Sequence, residues 1–184
     1  MIAGMPGGAP APAAAPAGAD MEVRDITDLI TKGECYCLNE EAGATWRNLF
    51  MGDDRLMLKS DADEQLLLHV EFNETVKLHS IDFVAPNDGS APLTVKLYIN
   101  RPSMGFSDAG DLTPAQTLEL TAEDLCAGNV TLLKFVKFQR VTSLSVFVED
   151  NNGADQTCLS SLKFMGAPVA GTKMSELKKA GQGE

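Results

Sequence analysis

The chain has 184 residues, a formal net charge of −11 at pH 7, 44% hydrophobic residues and 22% charged residues. This acidic balance argues against nucleic acids and anionic membranes as partners, because both attract clusters of Lys and Arg. The length suffices for one domain with a stable core, and no apolar run approaches the roughly 18 residues that a membrane-spanning helix needs.

Residues 1–21 are rich in Ala, Pro and Gly, and we expect them to form a disordered tail. Such a composition offers too little apolar surface to offset the entropy lost on ordering. The segment lacks the basic residues and leucine-rich core of a secretory signal, so we expect the cysteines to be reduced thiols. We predict a folded domain over 22–168 and a flexible tail over 169–184, in which Met174 and Leu177 have helical spacing.

The stretch "RDITDLITKG" at 24–33 predicts one short helix at the start of the domain. Asp25 or Thr27 would cap its first turn, and Gly33 would end it. Trp46, the single tryptophan of the chain, follows this stretch. We predict that its indole anchors the region on the core, the alternative being an exposed contact with a partner.

Cys35 and Cys37 are separated by one residue, and such a pair of thiols could bind a metal or exchange electrons. Redox pairs of the thioredoxin type are separated by two residues, and zinc sites usually use two pairs of ligands. We therefore interpret both cysteines as structural. The alternative, a thiol redox protein, requires a thiol pKa well below the ordinary value of about 8.5.

Two acidic loops are candidate sites, one at 61–64 and one at 150–155. Clustered carboxylates can bind calcium, but they also cap turns and keep the edge of a sheet soluble. The second loop resembles an EF-hand only superficially, because Gly153 occupies its fourth position instead of its sixth. We predict no metal ligands. The candidate partner-binding residues are Asp61, Asp63, Glu64, Asp150 and Asn151.

Apolar and polar residues alternate in the centre of the chain, which is typical of strands with one buried face. The clearest runs are 64–72, 93–100 and 143–150. Apolar residues occupy both faces of the run 131–141, and the shorter candidates are 77–84, 116–120 and 158–164. The alternation assigns His69, Tyr98 and Phe147 to the outer face. Turn residues separate these runs without any long helical pattern, so we predict an all-β antiparallel sandwich or barrel.

The two histidines, His69 and His79, lie in neighbouring candidate strands. If a hairpin through 73–76 joined those strands, the two rings could face each other and, with a carboxylate, hold a metal. Because His69 is assigned to the outer face and no third ligand is indicated, we interpret both as surface residues. The sequence contains no nucleophile, phosphate-binding or dinucleotide motif, so we predict no catalytic residues and no cofactor.

Four stretches of this sequence resemble the PITH domain family. They are "CYCLNE" at 35–40, "LKSDADEQLLLHVEFNETVKLHSI" at 58–81, "VKLYINRP" at 95–102 and "KFVKFQRVTSLSVFVEDNNGAD" at 134–155. The resemblance implies a jelly-roll β-sandwich, similar to galactose-binding-like domains. It also implies association with the regulatory particle of the 26S proteasome, in the cytosol and nucleus. The likeness is greatest to PITH domains that follow a thioredoxin domain in the same chain. This sequence has no Cys-x-x-Cys motif, so the resemblance implies no reductase activity here.

Our first hypothesis is a monomeric, non-enzymatic protein-interaction module that associates with the 26S proteasome in the cytoplasm and nucleus. We expect its contacts in the loops 59–64, 101–111 and 150–156 and in the C-terminal tail. The alternatives are the thiol redox protein and a small-ligand or carbohydrate-binding jelly roll, with or without calcium. Carbohydrate binding predicts exposed aromatic rings, for which the candidates are Trp46, Tyr98, Phe106 and Phe147.

Overall fold

A computed structural model of the protein describes residues 22–53 and 55–169. The predicted N-terminal tail and the helical pattern at Met174 and Leu177 lie outside these residues, as does the C-terminal tail after its first residue. Within them, no helix is long and apolar enough to span a membrane.

Strands dominate the described part of the chain, and all of their pairings there are antiparallel. The strands are β1 (Arg24–Asp25), β2 (Tyr36–Leu38), β3 (Leu58–Lys59), β4 (Leu66–Val84), β5 (Pro92–Ile99), β6 (Gln116–Glu119), β7 (Thr131–Leu132), β8 (Val141–Asn151), β9 (Cys158–Leu159) and β10 (Ser161–Pro168). In residues 22–53 and 55–169, helical structure is limited to α1 (Phe106–Asp111) and 3-10 turns at Thr27–Leu29, Lys32–Glu34, Trp46–Phe50 and Phe135–Lys137. The predicted all-β fold is confirmed.

Strand β4 joins the two layers of the fold. Its 19 residues would extend about 60 Å if the strand were straight, at roughly 3.3 Å per residue. A domain of this size has a radius of gyration of only about 15 Å, so the strand must bend. Its pairing with β8 shifts between Glu71 and Val76, which marks the bend. The hairpin considered from the sequence is therefore a bend inside one continuous strand.

The two limbs of β4 lie in different layers. Residues 66–71 belong to a five-stranded layer in the order β2-β4-β8-β5-β6, and residues 76–84 belong to a smaller layer in the order β1-β10-β4-β7. Apolar side chains from both layers form one buried cluster between them. Its members include Leu66, Leu68, Val70, Phe83, Val95, Leu97, Leu144, Val146, Val148 and Phe164, most of which the period-two pattern placed inward.

A bulge at His79 preserves this core where β4 crosses the smaller layer. Met165 pairs with Ser80, while the next residue, Gly166, pairs with Leu78, so His79 is the extra residue. The bulge keeps apolar side chains inward on both sides of it, because one extra residue reverses the alternation. Gly166 is required here, since a Cβ atom would overlap the carbonyl oxygen of Lys77 and lie 3.0 Å from its carbonyl carbon.

The outer face of the five-stranded layer is covered, contrary to the sequence-based assignment. Leu67, Tyr98 and Phe147 pack there against Met104 and Ala109 in a second apolar cluster. Tyr98 is 2% and Phe147 4% exposed, and the Tyr98 hydroxyl donates a hydrogen bond to the Ala109 carbonyl at 2.7 Å. The prediction failed because α1 and its flanking loop fold over this face. The alternation of residues within a strand carries no information about which other segment covers it.

Two local predictions were also wrong. The stretch 24–33 forms β1 and two 3-10 turns instead of one helix, because β1 pairs with β10 and draws the chain into the sheet. The stretch 131–141 is a strand only at β7 and at its last residue, with the turn at Phe135–Lys137 between them. Leu132 and Val136 therefore project into solvent.

Trp46 is 3% exposed, as expected for an anchor on the core.

Candidate interaction site at the loop rim

The two acidic loops meet at one end of the sandwich. The Thr157 backbone N–H donates to Ser60 Oγ at 2.8 Å, and the Thr157 hydroxyl donates to the Glu64 carbonyl at 2.6 Å. Gln156 Nε2 donates to the Ser60 carbonyl at 2.6 Å. Ser60 and Thr157 are both 0% exposed, so buried hydrogen bonds hold the loops in fixed relative positions. We call the surface formed by residues 61–64 and 149–156 the acidic rim.

Asn39 organises the first loop from a distant part of the sequence. Its Nδ2 donates to Asp63 Oδ1 at 2.9 Å and to the Gln65 carbonyl at 2.7 Å, while its Oδ1 accepts from the Ala62 N–H at 3.0 Å. Its backbone φ of 69° is left-handed, a conformation that Asn tolerates better than most residues. The sequence analysis did not identify Asn39 as a functional residue, although Asn39 lies in "CYCLNE", one of the four stretches that resemble the PITH family.

Asn151 differs from the other predicted contacts because it is buried. It is 5% exposed, and its Nδ2 donates to the Ala154 and Gln156 carbonyls and to Thr157 Oγ1, each at 3.1 Å. Its side-chain amide therefore shapes the second loop from within. The sequence suggested a contact because Asn151 lies in the candidate loop 150–156, but a turn can also be built around a buried Asn.

The other predicted contacts lie at the surface. Asp61, Asp63 and Asp150 are exposed, and Glu64 is half-buried. None of these four carboxylates makes an ion pair with another described residue, whereas the neighbouring Glu149 pairs with Lys96 at 3.0 Å. The rim thus presents unneutralised negative charge, which attracts a basic surface over a range set by the ionic strength.

An apolar cleft of about 620 Å³ lies on the same end of the molecule. Its lining includes Ala85, Pro86 and Leu125, while Asp88 and Asn152 contribute polar groups. Asn152 links the cleft to the second acidic loop by donating to the Ala91 carbonyl at 2.8 Å. Ser90 donates hydrogen bonds to the Asp88 carboxylate from its N–H and its hydroxyl, and they hold the pKa of Asp88 below its ordinary value.

The third predicted contact loop, 101–111, is not part of this rim. It lies over the outer face of the five-stranded layer, where Met104 and Ala109 are buried. The residue before it, Asn100, bonds to the opposite end of β8, at the Ser143 carbonyl. The structure therefore brings together two of the three predicted loops.

The cysteines do not have the chemistry of a redox pair. Burial raises the pKa of Cys37 far above its ordinary value, with an added contribution from the charge of Glu40. Burial likewise raises the pKa of Cys35. Both thiols are free and stay protonated at neutral pH, so neither is an activated nucleophile. The redox alternative requires a lowered thiol pKa, and burial moves the pKa values of both thiols in the opposite direction.

The histidines are separate structural residues. His69 is 1% exposed, contrary to its predicted outward position, and its ring lies 3.2 Å from Ser145 Oγ and 2.9 Å from Glu71 Oε1 while stacking on Tyr36. His79 occupies the bulge and contacts Ser80 Oγ at 3.0 Å. No group of three or more potential metal-ligating side chains occurs in the described residues.

The aromatic candidates for sugar stacking do not form an exposed platform. Trp46, Tyr98 and Phe147 are all buried, and the half-buried Phe106 packs edge-to-face on Phe147 with 6.0 Å between ring centroids. Their burial removes the feature on which the carbohydrate-binding alternative depended.

Comparisons with known proteins agree on family and fold. The PITH domain model matches residues 17–182. Thioredoxin-like protein 1 of Schizosaccharomyces pombe is 37% identical over 159 residues, covering 84% of this chain and 55% of that protein. Human PITH domain-containing protein 1 is 36% identical over 126 residues, covering 66% of this chain and 59% of that protein. The chain thus spans little more than half the length of these relatives.

Solved structures with the same fold are more distant in sequence. The family 32 CBM of Clostridium perfringens NanJ, solved with galactose, superposes with a TM-score of 0.59 at 12% identity and covers 78% of this chain and 99% of that one. The CBM32 domains of Clostridium perfringens ZmpB, solved with GalNAc, give a TM-score of 0.60 at 11% identity, covering 81% of this chain and 37% of that one. These similarities establish the galactose-binding-like jelly roll as the fold.

Proposed function

The chain belongs to the PITH domain family, and from this premise we propose that it is a non-enzymatic interaction module whose acidic rim docks on a basic surface of the 26S proteasome regulatory particle. The observation that carries the proposal is the joining of two acidic loops, distant in sequence, into one surface with unpaired carboxylates. The proposed setting is the cytoplasm and nucleus, where this assembly works.

The rigidity of the rim favours a docking role. Ser60, Gln156 and Thr157 tie the loops together, so a partner would meet carboxylates that are already positioned. Binding then loses little side-chain and loop entropy, which is the main cost that preorganisation removes. The unpaired charges would speed association with a basic partner and select against acidic ones.

The cleft offers an apolar binding surface next to the carboxylates of the acidic rim. A partner segment that carries a basic residue next to an apolar one could place the first on the rim and the second in the cleft. Interfaces of this kind gain most of their affinity from the apolar anchor that fills a pocket, while the charges at the edge set specificity and rate.

The chemistry of the site supports a binding role over catalysis. The cleft is lined by carboxylates and by the Cys126 thiol but by neither histidine, so its lining offers no imidazole to act as a general base or to activate that thiol. A general base or activated nucleophile would need a pKa near the working pH.

The test is capture of proteasome regulatory subunits from cell lysate by the full chain, followed by quantitative mass spectrometry. We expect the triple variant Asp61→Lys, Asp63→Lys, Asp150→Lys to lose at least about tenfold of the captured subunits, because three attractive charges become repulsive. The matched control is Glu22→Lys, Asp28→Lys, Glu34→Lys, which makes the same change in net charge at exposed positions outside the three predicted contact loops. Equal capture by the rim variant and the control would refute the role of the rim, and absence of capture by the unaltered chain would refute the proteasome assignment.

A further inference from the structure

A second surface of opposite character lies along residues 130–140. Its exposed aliphatic side chains are Val130 at 42%, Leu132 at 64% and Val136 at 81% exposure. Three exposed basic residues, Lys134, Lys137 and Arg140, lie among them, and the stretch contains no acidic residue. We call these six side chains the basic strip. A surface both apolar and basic is unexpected in a chain whose net charge is −11.

Core contacts force the strip outward. Leu133 and Phe138 are 8% and 0% exposed and anchor the segment in the core. The Leu133 N–H donates to the His79 carbonyl at 3.0 Å, and the Phe138 carbonyl accepts from the Leu78 N–H at 2.9 Å. Because these neighbours point inward, the aliphatic side chains of the strip cannot rotate into the core without breaking those bonds.

Side chains from other elements fix both ends of the strip. Gln116 Oε1 accepts from the Lys134 N–H at 2.7 Å, and its Nε2 donates to the Leu132 carbonyl at 3.4 Å. At the other end, Asn100 Nδ2 donates to the Arg140 carbonyl at 3.1 Å, and its Oδ1 accepts from the Thr142 N–H at 2.8 Å. The strip is therefore a preorganised surface, which reduces the entropy lost on binding.

The charges of the strip are unsatisfied within the described molecule. None of the side-chain nitrogens of Lys134, Lys137 and Arg140 makes an ion pair or a hydrogen bond with a described residue. The strip adjoins the first residue of β8, whereas the acidic rim includes its last residue. The ten residue steps between them span about 33 Å in an extended strand, so the two surfaces can act separately.

We propose that the basic strip is a docking surface for an acidic partner segment that carries large apolar side chains. Charge complementarity argues for this occupant, since three cations in a stretch without acidic residues favour an anionic partner. Exposed aliphatic side chains beside them favour apolar contacts, which a purely ionic partner does not make. A nucleic acid or an anionic bilayer would meet only three cations on a strongly acidic chain, and the rest of the molecule would repel it. This inference concerns a different surface from the acidic rim and does not rest on the proposed proteasome contact.

The test is fluorescence anisotropy of the full chain with a short labelled peptide of alternating Glu and Leu. The comparison probe has Gln in place of every Glu, because a Lys probe would be attracted by the acidic rim. We expect the Glu peptide to bind and the Gln peptide to bind at least about tenfold more weakly. The charge-reversal variant Lys134→Glu, Lys137→Glu, Arg140→Glu and the apolar variant Leu132→Ser, Val136→Ser should each weaken binding of the Glu peptide about tenfold, which corresponds to about 1.4 kcal/mol.

A matched control reverses three exposed basic residues elsewhere, as Lys32→Glu, Arg55→Glu, Lys163→Glu, and should change the dissociation constant less than about threefold. Thermal unfolding checks that the variants are folded, which we expect because every altered side chain is exposed. Failure of the folded chain to bind the Glu peptide, or equal binding by the strip variants and the control, overturns the proposal.

Two further results would overturn the proposed occupant. If the chain binds anionic vesicles or RNA through the strip more tightly than the Glu peptide, the occupant is not a protein segment. If sedimentation detects self-association that the strip variants abolish, the occupant is a second copy of the chain. Proteasome capture by the strip variants is measured separately, so loss of peptide binding with normal capture leaves the rim proposal intact.

Discussion

The substitution Thr157→Val tests whether buried hydrogen bonds hold the acidic rim together. Valine has nearly the same shape as threonine but lacks the hydroxyl, so the change removes polar contacts with little change in packing. Thr157 is 0% exposed, and its hydroxyl donates to the Glu64 carbonyl at 2.6 Å and accepts from Asn151 Nδ2 at 3.1 Å. The variant leaves the Glu64 carbonyl without that donor and removes one of the three acceptors of the Asn151 amide.

The expected loss follows from these two contacts. Removing one partner of a buried hydrogen bond costs about 1–3 kcal/mol. Because Asn151 keeps two other acceptors, its contribution falls at the low end, and we expect a total of about 2–4 kcal/mol. With a urea m-value of about 2 kcal/mol/M, the unfolding midpoint should fall by about 1–2 M.

The assay is equilibrium unfolding in urea followed by Trp46 fluorescence, with Thr117→Val as the control. Thr117 is exposed on β6 and makes no side-chain hydrogen bond with a described residue, so valine there should change stability by less than about 0.5 kcal/mol. We also expect Thr157→Val to weaken proteasome capture although every rim carboxylate is intact. A Thr157→Val protein as stable as the control would refute the reasoning that this hydroxyl joins the two loops.

Three other perturbations test the fold away from the acidic rim. Gly166→Ala should destabilise the protein by about 3 kcal/mol or more in urea unfolding, because its Cβ would meet the backbone of Lys77, which cannot move aside as a side chain could; a neutral result would contradict the close approach of β10 and β4. Tyr98→Phe should cost about 1 kcal/mol, since the Ala109 carbonyl loses its hydroxyl donor, and an unchanged midpoint would mean that another donor replaces it. Above about pH 8.5 an unfolded thiol loses its proton while Cys37 keeps its own in the folded state, so the free energy of unfolding should fall as pH rises. Cys37→Ala should reduce that slope in urea unfolding between pH 8 and 10, and an identical slope would show that other groups cause it.

The inward residues of the main strands could be predicted from the sequence because strand alternation is a local property. Leu66, Leu68 and Val70 lie on one face of β4, and Val95 and Leu97 lie on one face of β5, as their spacing indicates. A shift of one residue would expose either set, so the pattern specifies which face is buried. The family resemblance added the jelly-roll topology, which alternation does not specify by itself.

The same pattern predicted the wrong exposure at positions that are buried by segments from elsewhere in the chain. His69, Tyr98 and Phe147 have the spacing of outward residues, yet each is buried. Phe147 and Tyr98 lie beneath Met104 and Ala109, while the His69 ring is stacked on Tyr36 of β2. Alternation distinguishes two faces of a strand, but it does not reveal that a second segment covers the face assigned to solvent.

The sequence by itself determined the main strands, most of their inward faces and the presence of two acidic loops, because spacing and composition act over neighbouring residues, and its likeness to known sequences indicated the family. Only the tertiary structure decided that these loops form one rim, since Ser60 and Thr157 meet across 97 positions of the chain. It also decided that Asn151 is internal, that the Cys37 thiol keeps its proton, and that Leu132 and Val136 face solvent. The physical reason is that burial and hydrogen bonding depend on which distant segments pack together, and the free energy of that packing belongs to the whole fold.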